Sequence, residues 1–112
     1  MKSKLNEKDI EVVKWQVQQA KEITRQYPSE LIVVATFNEI EYKEFKPSSE
    51  SFEKWQAMEQ LFLQKCREQG LFNIVLEHCD LFGYAKFLED NNFANDSRTR
   101  SLYVAQKYKK QL

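Results

Sequence analysis

The chain has 112 residues, a length typical of one domain and long enough to bury roughly two thirds of the surface that its unfolded form exposes. Hydrophobic residues make up 42% and aromatic residues 13%, which is too apolar for intrinsic disorder. Only two Gly and two Pro are present, which argues against an all-β fold with many hairpins. We therefore expect a single globular domain, residues 1–112, in which long helices dominate.

The net charge is zero, but the charges are unevenly spread along the chain. Residues 1–27 carry six basic and four acidic side chains, residues 28–93 carry six and twelve, and residues 94–112 carry five and one. Basic ends and an acidic centre favour attraction to charged partners or to a second copy of the chain. A homo-oligomer is therefore one hypothesis for this protein.

The N-terminal stretch MKSKLNEKDIEVVKW lacks the apolar run of a signal peptide. No segment approaches the roughly 18 consecutive apolar residues of a membrane-spanning helix. We expect a soluble, cytoplasmic protein that does not bind a membrane. In that compartment Cys66 and Cys79 are expected to be reduced, buried thiols rather than a disulfide.

The first half of the chain predicts one helix and a hairpin. Asn6 and Asp9 have the spacing of a capping box, and apolar residues then recur every three or four positions, which predicts a helix over residues 7–27. The β-branched run of residues 31–37 predicts a buried strand. Residues 39–45 alternate weakly and follow Asn38, which tolerates a tight turn, so we expect a second strand paired with the first.

The second half predicts three helices and one strand. The serines of KPSSES can cap a helix that ends at Gly70, residues 72–78 predict a third strand, and DLFGYAKFLEDNN predicts the next helix. The last helix begins at about Ser97. The order is α-β-β-α-β-α-α, and we expect an α/β fold of the α+β type, with a three-stranded mixed sheet packed with helices.

The stretch LEHCD, residues 76–80, contains the only histidine. In a strand, His78 and Cys79 point to opposite faces, so they do not form a nucleophile and base pair. Cys66 and Cys79 do not form a CxxC pair, so no metal site is predicted. Asp80 is expected to cap the following helix. Glu59 lies in an apolar helix face, either at the rim of the core or paired with His78.

Glu41, Tyr42 and Lys43 form a Glu-x-Lys sequence in the predicted second strand. Its spacing resembles the ExK element of the PD-(D/E)xK nucleases, whose element order is also similar. The resemblance implies that Glu41 binds Mg²⁺ and that Lys43 polarises the attacking water. The residues before it are Asn38 and Glu39 rather than the Pro-Asp of that family. The alternative is a solvated hairpin edge.

Trp15 falls nearly opposite the apolar stripe of the first helix. An exposed Trp is typical of binding hot spots. The alternative is that a loop or the C-terminal helix covers Trp15, since Val12 and Ile23 extend the apolar arc toward it. The predicted partner-binding residues are Trp15, Lys8, Glu11, Gln19 and Glu22.

The last helix carries a basic stripe opposite Val104, Ala105, Tyr108 and Leu112. This stripe could contact phosphates, with a tyrosine stacking on a base, or dock on an acidic protein surface. A solvated face that suits the negative C-terminal end of the helix is the alternative. The stripe consists of Arg100, Tyr103, Lys107 and Lys110.

No GxGxxG, P-loop, HExxH or nucleophile-elbow signature is present, and no catalytic residue, cofactor or metal is predicted. The sequence favours a small non-enzymatic binding protein. Its expected macromolecular partner is another protein. Nucleic-acid binding by the C-terminal helix is the alternative hypothesis. A metal-dependent nuclease of the PD-(D/E)xK kind ranks third.

Overall fold

The computed structural model describes residues 5–46 and 50–111 of the chain. Within these residues there are five helices and two strands, which makes a small α+β fold. The predicted fold class is confirmed at this level. In chain order the elements are α1 (Glu7–Gln26), β1 (Ile32–Thr36), α2 (Glu39–Phe45), α3 (Phe52–Glu68), β2 (Ile74–His78), α4 (Leu81–Asn91) and α5 (Ser97–Lys110).

Helix α1 begins where the sequence predicts. Asn6 Oδ1 accepts the Asp9 N–H at 2.8 Å, and Asp9 Oδ2 accepts the Asn6 N–H at 3.0 Å. This capping box satisfies two N–H groups that have no partner within the helix. Val13, Val17 and Ala20 are buried along one stripe. The amphipathic helix predicted over residues 7–27 is confirmed.

The prediction of a second strand over residues 39–45 is wrong, because Glu39–Phe45 is helix α2. Asn38 has a φ of −82° and caps the helix instead of making a tight turn. Its side chain accepts the Glu41 N–H, and the Glu41 carboxylate accepts the Asn38 N–H, each at 2.8 Å. Tyr42 and Phe45, three residues apart, are buried on one side of this helix. The weak alternation of the segment was mistaken for the pattern of a strand.

The sheet contains β1 and β2 alone among the described residues, so the predicted three-stranded mixed sheet is also wrong. The two strands are parallel. The Ile32 N–H donates to the Asn73 carbonyl at 2.8 Å, and the Cys79 N–H donates to the Thr36 carbonyl at 3.0 Å. Helices α2 and α3 supply the long connection that parallel strands need.

The remaining helices start at residues that act as caps. Asp80 accepts the Gly83 N–H at 2.9 Å, as predicted, and Asp96 accepts the Thr99 N–H at 2.8 Å. Ser51 caps α3. Ser48 and Ser49, the other predicted capping serines, and Leu112, predicted on the apolar side of α5, lie outside the described residues.

The chain divides into two compact units. Unit 1 comprises Met1–Ile32 and Ser48–Ile74, and unit 2 comprises Val33–Pro47 and Val75–Leu112. Each strand therefore begins in unit 1 and continues in unit 2. The single domain expected over residues 1–112 stays a prediction.

Unit 1 is built on the packing of α1 against α3. After α3, Gly70 adopts a φ of +78°, which favours glycine, and the Leu71 N–H donates to the Cys66 carbonyl at 2.8 Å. The chain thus turns back at the predicted glycine, two residues after the helix ends. The buried side chains of the two helices include Val13, Val17, Ala20, Trp55, Phe62 and Cys66.

Unit 2 contains the fully buried ring of Tyr84. This ring packs edge-on against Phe45, with 4.8 Å between ring centroids. Its hydroxyl donates to Asn95 Oδ1 at 2.8 Å, and Asn95 Nδ2 donates to the Phe45 carbonyl at 2.7 Å. Burial raises the pKa of Tyr84 to about 12, so the phenol stays protonated and can donate this bond.

Candidate functional site

Helix α1 presents Trp15 to solvent. The side chain is 64% exposed, whereas Val13 and Val17, two residues away on either side, are buried. Helical geometry accounts for the difference, because about 100° per residue places Trp15 about 160° away from both valines. Of the two alternatives that the sequence leaves open for Trp15, exposed or covered, the structure has the exposed one.

The other residues predicted to bind a partner lie along the same helix. Lys8, Glu11 and Gln19 are exposed. Glu22 is half-buried, and its Oε2 accepts a hydrogen bond from Arg25 Nη2 at 2.6 Å. All four lie within about 40° of Trp15 around the helix axis.

Val12 and Ile23, which extend the apolar arc of α1 toward Trp15, are themselves exposed. Both lie within about 80° of Trp15 around the helix axis. The apolar area on this side of α1 is thus larger than one tryptophan. The Trp15 surface is defined by Trp15, Val12, Gln19 and Ile23, with Lys8, Glu11 and Glu22 around them.

A groove of about 280 Å³ lies between α1 and α3. Lys14 and Gln18 line it from α1. Lys14 directly precedes Trp15 in sequence, and Gln18 lies about one helical turn after it. Lysine predominates among the charged residues of the lining. The groove residues include Lys14, Gln18, Lys21, Lys65, Glu68 and Gln69.

The predicted basic stripe of α5 is engaged with its own chain, starting with Arg100. Its Nη1 donates to Asn95 Oδ1 at 2.8 Å and to the Phe45 carbonyl at 3.3 Å. These contacts attach α5 to the end of α2. The guanidinium is therefore an internal donor in unit 2.

Tyr103 and Lys107, the next members of the stripe, both bind the loop after β2. The Tyr103 hydroxyl donates to Asp80 Oδ1 at 2.6 Å. Lys107 Nζ donates to the His78 carbonyl and lies 3.0 Å from Asp80 Oδ1. Arg100, Tyr103 and Lys107 are half-buried, and Lys110 alone of the four is exposed. The role of this stripe in binding stays a prediction.

Burial and hydrogen bonding have opposing effects on the pKa of Asp80. Burial by itself would raise the pKa of the carboxyl. Hydrogen bonds from Tyr103, Lys107 and the Gly83 N–H outweigh burial and hold the pKa below its usual value. Asp80 is therefore an ionised cap that also binds α5.

The Glu-x-Lys sequence does not have the strand geometry that its resemblance implies. Glu41 and Lys43 lie on α2, where residues two apart point about 160° away from each other. Glu41 is buried, whereas Lys43 is exposed and lies 3.9 Å from Glu39. The lysine and the buried carboxylate thus face different surroundings.

His78 contacts Glu41, and its pairing with Glu59 stays a hypothesis. Its Nδ1 lies 3.0 Å from Glu41 Oε1, across a sequence separation of 37 residues, and 54% of its side chain is exposed. Parallel pairing brings the residues after β1 and the end of β2 to one sheet edge, which explains the contact. Glu59 is half-buried on α3.

Cys79 is fully buried, so it and the exposed His78 face different environments, as alternation predicts. Burial raises the pKa of the Cys79 thiol to about 12 and also raises the pKa of Cys66. Both cysteines are free, buried thiols, as predicted. Neither has the thiolate character of a nucleophile.

Across residues 5–46 and 50–111, no three His, Cys, Asp or Glu side chains are grouped so that they could hold a metal ion. No helix in the same ranges has both the length and the apolar character to cross a membrane. A scan against protein-family models finds no match, and a search of curated proteins finds no similar sequence.

Two features escaped the sequence analysis. The lysine groove was missed, although Lys14, Gln18 and Lys21 have the spacing of one helix face. Lys65 joins them from another helix, which no local pattern shows. The contact between Glu41 and His78 required the correct assignment of α2, and the Asn38 to Glu41 spacing was the available signal.

Proposed function

We propose that this protein is a non-enzymatic binding protein that occupies another protein through the Trp15 surface of α1. The observation that carries the proposal is the 64% exposure of Trp15 on a helix whose opposite side is buried. Exposed Val12 and Ile23 extend the apolar area beside it. Isolated surface apolar residues are common, but a tryptophan with aliphatic neighbours on one helix face is typical of an interface centre.

Burial of the indole in an interface would stabilise the complex. A tryptophan buries roughly 150–250 Å² when it is covered, and apolar area stabilises by about 25 cal/mol per Å². Trp15 contributes little of this to folding, because most of its surface is still in water. The helix backbone is already ordered, so binding orders only side chains.

The test is parallel capture from lysate of the source cell with immobilised wild type, Trp15→Ala and Phe82→Ala. Phe82 is the matched control, because it is also an exposed aromatic side chain on a helix, but in unit 2. We expect Trp15→Ala to bind the partner about 30-fold more weakly, the equivalent of about 2 kcal/mol at a hot spot. Phe82→Ala should capture as wild type does.

Both variants must also unfold with wild-type cooperativity in urea, since the two side chains are largely outside the core. Equal capture by all three proteins would remove the Trp15 surface from consideration. Loss of capture with both variants would contradict a specific role for Trp15.

Nucleic-acid binding by Arg100, Tyr103, Lys107 and Lys110 ranks second. The first three side chains would have to give up intramolecular partners to reach a phosphate or a base. A labelled single-stranded oligonucleotide at low salt tests this alternative, because electrostatic binding is strongest there. The nuclease hypothesis ranks third, since Glu41 and Lys43 lie on a helix.

A further inference from the structure

The groove between α1 and α3 has an uneven charge. Three of its charged lining residues are lysines and one is a glutamate. The two glutamines of the lining, Gln18 and Gln69, add hydrogen-bonding groups without charge. The groove is therefore a shallow cationic site on unit 1.

The contacts of the lysines leave this positive charge largely uncompensated. Lys21 Nζ donates to the neutral amide oxygen of Gln69 at 3.1 Å. Lys14 lies 3.5 Å from Glu11, but both side chains are more than half exposed, and water weakens such a pair. Lys65 has no ion-pair partner within the part of the chain that the structure describes.

The groove adjoins the Trp15 surface on the same helix. Lys14 is the residue before Trp15, and Gln18 lies one turn after it, between Lys14 and Lys21. A single bound segment can thus contact the indole and the lysines together. Lys14 and Lys21 are about 10 Å apart along the axis, at about 1.5 Å per residue.

We infer that this groove binds an acidic segment of the partner protein, with an apolar side chain of that segment seated on Trp15. This inference rests on the proposed function, and it adds the chemistry of the partner. Carboxylates three residues apart in a polyproline-II segment match the spacing of Lys14 and Lys21, because such a segment rises about 3.1 Å per residue and returns to the same side every three residues. Charge complementarity then sets orientation and speeds association.

Glu68 favours a peptide over a nucleic acid as the occupant. Glu68 is one of the residues that line the groove. A nucleic-acid strand carries a phosphate about every 3.4 Å, so some phosphates would lie against Glu68. A peptide can place neutral residues there and acidic residues opposite the lysines.

The probe is a fluorescent ten-residue peptide with one phenylalanine and two glutamates three residues apart, titrated into the full-length protein by anisotropy. The control peptide has glutamine in place of both glutamates. We expect the acidic peptide to bind the wild type, and to bind about five-fold more weakly to Lys21→Gln/Lys65→Gln, as estimated for two exposed charge pairs. Lys86→Gln/Lys109→Gln, which changes two exposed lysines outside both the groove and the Trp15 surface, should bind as the wild type does.

Equal binding of the acidic and neutral peptides, or equal binding by the two lysine double variants, would overturn the inference. So would displacement of the peptide by a single-stranded oligonucleotide at a lower concentration than the unlabelled peptide needs. Binding that weakens as salt is raised supports it, because screening acts on exposed charges.

Cell-lysate capture separates this inference from the proposed function. If Trp15→Ala loses the partner while Lys21→Gln/Lys65→Gln keeps it, the Trp15 surface stands and the acidic-segment inference fails. If both variants lose the partner, both proposals are supported. If neither does, both fail.

Discussion

Single carboxylates decide where several helices of this protein begin. Asp9, Glu41, Asp80 and Asp96 each accept a backbone N–H at the start of a helix. Asp9 and Asp80 were assigned from the sequence, whereas the capping role of Glu41 was missed because its segment was taken for a strand. A capping contact spans three residues, so it is visible in sequence when the helix itself is recognised.

Some of these carboxyl groups titrate below their usual range. The Thr99 N–H is the largest cause of the lowered pKa of Asp96, and the Asn6 N–H is the largest for Asp9. In the unfolded chain both groups bind protons near their ordinary pKa of about 3.9. The stabilisation is therefore present above this pH and is lost as the pH falls through the folded-state pKa.

We predict that Asp96→Asn reduces the acid sensitivity of the fold. Asparagine is also a good N-cap, so stability near neutral pH should stay close to wild type. Between about pH 5 and about pH 3 the variant should lose less free energy of unfolding, because one titrating carboxyl is gone. Urea midpoints at both pH values measure this. An identical loss in the two proteins would show that Asp96 has no role.

At the scale of elements, the contacts of α4 and α5 explain a glycine in a helix. Gly83 lies in the first turn of α4, and a Cβ added there would meet the Tyr103 hydroxyl and the Asp80 carboxylate. Both groups are held in place, the first by its hydrogen bond and the second by its capping role. The close approach of α5 thus requires glycine at this position.

We predict that Gly83→Ala destabilises the protein by about 1–3 kcal/mol, although alanine in a helix usually stabilises by about 1 kcal/mol. Tyr103→Phe removes the hydroxyl and serves as the second mutation of a double-mutant cycle. In that background the cost of Gly83→Ala should be smaller, since one of the two obstructing groups is absent. Urea denaturation of the four proteins gives the coupling. A stabilising Gly83→Ala would contradict the described packing of Tyr103.

The wrong assignment of α2 as a strand is also explained by the properties of the element. Seven residues are too few for a stable isolated helix or for a reliable periodic pattern. The segment becomes a helix because of its capping box and because Tyr42 and Phe45 are buried on one side. Because residues 39–45 form a helix and not a strand, the sheet has two parallel strands, where three were predicted.

At the scale of the whole molecule, the folded chain redistributes its charges. The basic ends and acidic centre seen in sequence do not separate into differently charged parts. Unit 1 contains nine basic and nine acidic residues, and unit 2 contains eight of each. Attraction between copies therefore does not follow from charge order along the chain, and the homo-oligomer stays a hypothesis.

We predict that the two units unfold in one cooperative transition, because each strand has residues in both. One buried cysteine lies in each unit, Cys66 in unit 1 and Cys79 in unit 2. A short pulse of thiol reagent near the urea midpoint, followed by intact-mass analysis, reads both at once. We expect unmodified and doubly modified chains. A large population with one label would show that the units unfold separately.

The sequence by itself determined what depends on neighbouring residues. It located α1, α3, α4, α5 and both observed strands. The apolar periodicity and the capping residues that define most of these elements can be recognised within three to seven neighbouring residues. It also indicated that Trp15 lies opposite the buried stripe of its helix, which the structure shows as 64% exposure.

Only the tertiary structure decided the partners of side chains that are distant in sequence. His78 contacts Glu41, Tyr103 and Lys107 bind at Asp80, and the cations of the groove come from two helices. Arg100 and Lys107, which look like part of a free basic stripe in sequence, become internal donors, because α5 packs within unit 2. A helical projection shows which residues share a face, but the packing of that face decides which of them meet solvent.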